Sequence, residues 1–197
     1  RAVRVEAEDN VVRAVIIQST RTGRWTRVAG QFFSDCTGDA VVGHLAGADY
    51  EFAPTGNMGN SNLWSVLDAE NEQEVLQCEC KDKDALSAAF EAGDTEQPFP
   101  RCPWAIDLSD KPFPGRANYR GQWGGGDPLS NLGGWFWESG FDKNPIEDIE
   151  RIRDLNFRAM YGAWDTLKNI DGQYPNHRLG WAAFIAGKRE SRRIMGD

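Results

Sequence analysis

The sequence predicts a mixed α/β (α+β) chain, and three observations carry that prediction. Residues 2–36 hold short apolar runs rich in β-branched side chains, broken at Asp9-Asn10 and Thr22-Gly23, the pattern of a β-meander. Ile146, Ile149, Ile152, Leu155, Met160, Trp164 and Leu167 recur at spacings that mostly keep to one helix face. Between them, QFFSDCTGDAVVGHLAGA (Gln31 to Ala48) passes from an apolar run through Cys36-Thr37-Gly38-Asp39 into a helix-like segment. That is the outline of a strand, a tight turn and a helix. With 197 residues, 40% of them hydrophobic, the chain can form one large domain or two small ones around a real core.

The elements follow in order. Val3, Val5 and Ala7 alternate, Val11 to Ile17 is β-branched, and Trp25 to Val28 follows the second turn. Gln31 to Cys36 reads as the next strand. Asp39 is expected to cap or neutralise the start of a helix over Ala40 to Leu45, which Gly47 closes. Unpaired N–H groups at such a helix start favour phosphate or another anion, although an ordinary helix cap has the same local pattern. Gly38 suits a point where another backbone or a ligand comes close, and Thr37 offers a hydroxyl.

Residues 50–62, with Pro54, Gly56, Gly59 and several Asn, read as loop, and Asn62 to Leu67 as strand. Asp82 to Ala92 reads as a short helix. Residues 93–132 are rich in Pro and include Gly124-Gly125-Gly126, yet Phe99, Trp104, Phe113, Tyr119 and Trp123 are too apolar for solvated coil, so an ordered loop or lid is expected. Gly133 to Glu138 reads as a strand. Asn144-Pro145-Ile146-Glu147 has a capping-box pattern that starts a helix running to about Lys168. Arg178 to Ile185 reads as strand, and Gly187 to Gly196 turns back through a basic cluster.

Lys+Arg 22 against Asp+Glu 30 gives a net charge of −8, which argues against general nucleic-acid binding. No apolar run approaches the ~18 residues of a membrane span. Positive charge is local, at Lys188, Arg189, Arg192 and Arg193. Arg189 and Arg192, three apart, share one face if that segment is helical, and could grip a carboxylate or stabilise a neighbouring anion. The competing reading pairs these arginines with Glu190 and the acidic surface. Cys36 reads as a small buried residue, Cys78 and Cys80 lack the spacing of a zinc or thioredoxin site, and no metal is expected. His44 reads as a semi-buried helix residue and His177 as a loop histidine capable of acid–base work. Trp123, Trp135, Phe136 and Trp137 suit a core, a carbohydrate-binding face or a wall shielding a flat cofactor ring, with strand alternation sending Trp135 and Trp137 to one side and Phe136 to the other.

The meander, the Thr37-Gly38-Asp39 turn and Leu45-Ala46-Gly47-Ala48 together resemble the second flavin-contacting motif of FAD-dependent oxidoreductases, an apolar strand followed by Ala-Thr-Gly-Asp, in the broad glutathione-reductase-like superfamily. Trp137-Glu138-Ser139-Gly140, Trp164 to Asn169 and Gly187 to Arg193 resemble one branch of that family. Cys36 stands where Ala is usual.

The resemblance implies part of a Rossmann-type FAD domain over residues 1–52, an α/β substrate cap over 53–186 with the long loop 93–132, and a return towards the FAD domain over 187–197. It further implies FAD as cofactor, with Thr37, Gly38 and Asp39 touching it and Asp39 accepting from a ribose or ribityl hydroxyl. A small organic substrate is implied, with Arg189 and Arg192 supplying electrostatics to substrate or flavin. No Gly-x-Gly-x-x-Gly occurs in the chain. That turn and the acidic residue for the adenosine ribose are expected before Arg1, and a final flavin-contacting segment after Asp197. The chain is therefore read as a fragment, weak or lacking in FAD binding and inactive alone, its cellular location and oligomeric state left open. The rival is a non-catalytic carbohydrate-binding or scaffold module using the Trp-rich face.

Overall fold

In the computed structural model, residues 1–52, 58–68, 96–119 and 128–196 are described. The chain divides into two units. One comprises Arg1–Met58, Phe141–Glu147 and Lys188–Asp197, the other Gly59–Gly140 and Asp148–Gly187.

The first unit opens on the predicted meander. Strands β1 (Ala2–Glu8), β2 (Val11–Gln18) and β3 (Trp25–Ala29) form an antiparallel sheet in that order. Glu8 pairs with Val11 across Asp9 and Asn10, whose φ values of 50° and 60° make the two-residue turn that matches strand twist. In β2 the consecutive Ala14, Val15 and Ile16 are all buried, so the middle strand is covered on both faces. Every residue of β3 is exposed.

Helix α1 (Val41–Leu45) ends as expected. Gly47 sits at φ +81°, the Ala48 N–H reaches the Gly43 carbonyl, and the Gly47 N–H reaches that of His44. This crossed pair is a Schellman closure, which a left-handed glycine allows. The two-residue strands β4 (Tyr50–Glu51) and β9 (Arg193–Ile194) pair antiparallel.

One expected strand is missing. Gln31 to Cys36 is irregular and Phe32 is 92% exposed. Among the described residues no strand lies beside it to take its ladder hydrogen bonds, and an apolar run without a partner does not make a strand.

The second unit is built on the long helix α3 (Ile149–Asp165), continued by a π-helical turn at Thr166–Ile170. Met160, Ala163, Trp164 and Leu167 pack with Trp64, Phe113, Leu132 and Trp137 in one buried cluster. Strand β6 (Trp64–Asp68) pairs antiparallel with β8 (His177–Ala182), and β5 (Asn60–Ser61) with β7 (Glu138–Ser139). The short helix α2 (Pro128–Leu132) delivers Leu132 to the core. In the part of the preceding loop that is described, residues 96–119, the aromatics pack as expected. Phe113 is buried, Phe99 stacks on Tyr161, and Arg116 holds Asp171 through two hydrogen bonds of 2.7 and 2.8 Å.

Three boundaries differ from expectation. Gly133 to Trp137 is a turn, with only Glu138–Ser139 extended. Gly133 comes so close to Trp64 that an added Cβ would lie 1.6 Å from the Trp64 carbonyl oxygen. Trp137 is consequently buried, while Trp135 and Phe136 are 57% and 47% exposed. The expected capping box does not start α3, since Asn144 Oδ1 accepts from the Ile146 and Glu147 N–H groups to close a separate turn. The helix instead begins at Ile149. Strand β8 stops at Ala182, where the next N–H bonds to the Leu63 carbonyl and leaves Phe184 and Ile185 exposed.

The Asp82 to Ala92 helix, the Pro54–Gly56 loop, Cys78, Cys80, Trp123 and Gly124-Gly125-Gly126 lie outside the described residues. Every ladder among the described residues is antiparallel, so the fold is mixed α and β without a parallel sheet in that set.

Candidate functional site at the Thr37-Gly38-Asp39 turn

The turn is organised by a residue the sequence reading did not single out. Asp35 Oδ1 accepts from the Thr37 N–H at 3.0 Å and the Thr37 hydroxyl at 2.6 Å, while its Oδ2 accepts from the Gly43 N–H at 2.9 Å. The Thr37 hydroxyl in turn accepts from the Val41 N–H at 2.8 Å. Burial raises the Asp35 carboxyl, but the bonds from Thr37, Gly43 and Val42 outweigh it and hold it below its ordinary value. Gly38 at φ +82° and Ala40 at φ 50° reverse the chain.

Two expectations change here. Asp39 does not cap α1, because Thr37 and Asp35 already satisfy its starting N–H groups. For the same reason those groups are not open to a phosphate.

Asp39 turns instead towards the C-terminal segment. Its carboxylate takes a very short bond from Lys188 Nζ and one of 2.6 Å from the Ser191 hydroxyl. Arg192 donates to the Asp39 carbonyl at 3.2 Å and lies over the Tyr50 ring, 5.7 Å from its centre. Burial raises the Asp39 carboxyl, yet hydrogen bonds from Lys188 and Ser191 and the charges of Lys188 and Arg192 hold it below its ordinary value.

A cavity of about 400 Å³ opens between the turn and this segment, lined by Thr37, Gly38, Asp39 and residues 188–193. Lys188, Arg189, Arg192 and Arg193 face Asp39 and Glu190 around it. In a chain of charge −8 this is a local positive site.

All five residues singled out from the sequence thus line one cavity, though not as the spacing argued. Residues 188–192 are irregular, so Arg189 and Arg192 meet the cavity without a helix. Lys188 was visible as part of the basic cluster, and Ser191 only as a member of the Gly187 to Arg193 segment. Asp35 had a local signal, since an Asp two residues before a Thr is the pattern of a side chain that bonds the backbone two positions on.

Cys36 is exposed rather than buried. His44 packs edge-on to Tyr50, and His177 Nε2 lies 4.0 Å from Asp68; neither lines the cavity.

This chain belongs to the FAD dependent oxidoreductase family, whose sequence model matches residues 1–197. No curated protein and no solved structure shows significant similarity to it.

Proposed function

We propose that the cavity takes an anionic part of the flavin, or of a substrate held beside it, in an oxidoreductase that moves hydride or electrons between a small organic substrate and FAD. The observation that carries this reading is the meeting of the family's turn with a cationic segment 149 residues later in the sequence. The donor set fits an anion. Arg189 and Arg192 supply guanidinium groups, and an ideal Cβ on Gly38 would find nothing within 4 Å, leaving that backbone approachable. Bound FAD supplies the redox chemistry, and the residues here orient it and bias its charge.

The Rossmann-type domain and the substrate cap belong to this reading through family analogy. Because Gly-x-Gly-x-x-Gly is not among the 197 residues, the reading expects weak FAD retention by the chain alone. A purified chain carrying stoichiometric flavin after desalting contradicts that expectation. Equilibrium titration with FAD, followed by flavin fluorescence, tests the site itself. Gly38→Val, which forces a β-branched side chain into a left-handed conformation, and Arg192→Gln should each weaken binding about tenfold. An unchanged Kd in both sinks the assignment. The carbohydrate reading retains exposed Trp135 and Phe136 but loses Trp137 to the core, and saccharide-dependent tryptophan quenching without any flavin effect would favour it.

A further inference from the structure

We infer that Asp39 is a positioning residue, whose carboxylate docks residues 188–194 across the turn and thereby sets which cations face the cavity, rather than accepting a hydrogen bond from the flavin. The inference uses the proposed flavin reading only for the identity of the ligand.

The geometry gives four successive anchors for this strap. Lys188 and Ser191 hold the Asp39 carboxylate, Arg192 holds its carbonyl, and Ile194 packs on α1 where a Cβ on Gly43 would fall 2.8 Å from Ile194 Cδ1. Tyr50 pairs with Ile194 in the ladder that finishes the strap. Each Asp39 carboxylate oxygen therefore already has a donor, and the side chain is only 21% exposed. The Thr37 hydroxyl proton is committed to Asp35 while its oxygen accepts from Val41, so it has no proton to donate to an anionic ligand.

What the turn presents to a ligand is the backbone at Gly38; the charge comes from the strap. An aspartate in this position neutralises Lys188 and aligns Arg192, so it tunes the field of the cavity without touching its occupant. A sugar hydroxyl reaching the remaining lone pairs of Asp39 would have to share a carboxylate already held by Lys188 and Ser191 and largely buried.

Trypsin provides a direct readout, because the strap contains Lys188, Arg189, Arg192 and Arg193. Asp39→Asn keeps the shape and removes the charge; Lys188→Gln removes the other partner. Cleavage after Arg189, timed by mass spectrometry, should accelerate about tenfold in each single variant, and the double variant should be no faster than either. FAD titrations on the same proteins should show the same non-additive pattern, with weakening in both single variants.

Cleavage at the wild-type rate in Asp39→Asn overturns the inference. So does a loss of FAD affinity in Asp39→Asn that Lys188→Gln does not reproduce, since that is the signature of a direct contact. Should Asp39→Asn fail to fold by circular dichroism, Ser191→Ala tests the same docking with one hydrogen bond removed, and an unchanged cleavage rate there is equally fatal. Absence of FAD binding in every form agrees with the weak retention that the flavin reading expects of this chain, and the cleavage arm alone then decides the role of Asp39.

Discussion

Gly162 shows how a single residue can reverse a sequence-based expectation. It lies inside α3, where Gly→Ala ordinarily stabilises a helix by ~1 kcal/mol. Here an added Cβ would sit 1.9 Å from the Ile106 carbonyl oxygen, on a backbone segment tied to the helix by the Ile106 N–H to Arg158 carbonyl bond. Gly162→Ala should therefore destabilise by about 1–3 kcal/mol, read as a lower urea midpoint. Arg116 makes a similar point about charge. Its guanidinium holds both Asp171 oxygens and also donates to the Leu108 and Lys111 carbonyls, with only 10% of the side chain exposed. Arg116→Lys keeps the charge but loses the fork, and should cost about 1–2 kcal/mol by the same measurement. Neither residue stood out in the sequence, because glycine and arginine carry no local mark of the distant backbone they meet.

At the scale of elements, the meander and the long helix were legible and their ends were not. The hairpin at Asp9-Asn10 is local chemistry, two residues that tolerate positive φ between β-branched runs, and it formed as read. Helix α3 kept its apolar stripe, but its buried face also contains Asn156, which donates to the Asn60 carbonyl and to Asn62 Oδ1. No periodicity reveals a polar residue whose partners lie 94 and 96 positions away. The Gln31 to Cys36 run has the composition of a strand, yet a strand needs a neighbour, and Asp35 binds the turn instead. That arrangement has a pH consequence. Asp35 and Asp39 both titrate below the ordinary carboxylate value of 3.8, so their contribution to stability is complete above 3.8 and is lost as pH falls through their lowered folded values. Amide exchange at Val41 and Gly43 should accordingly quicken, beyond its intrinsic pH dependence, only below pH 3.8, and Asp39→Asn should flatten the same transition in the strap.

For the whole molecule, charge and exposed apolar surface act against each other. The net charge of −8 keeps chains apart near neutrality, whereas Phe32, Phe184 and Ile185 are 92%, 65% and 77% exposed. Light scattering should rise to a maximum near the isoelectric point of about 4.9, where repulsion vanishes, and fall again on returning to pH 7. By itself the sequence determined the mixed α/β class, the meander, the stripe of the long helix, the family and five of the residues that line the cavity, Thr37, Gly38, Asp39, Arg189 and Arg192, because these depend on composition, short periods and local motifs. Tertiary structure alone decided that Thr37 and Asp35, rather than Asp39, satisfy the start of α1, and that Asp39 faces a lysine and a serine 149 and 152 positions later. A carboxylate binds whichever donors the fold brings within reach, and that choice is made by packing between segments remote in sequence.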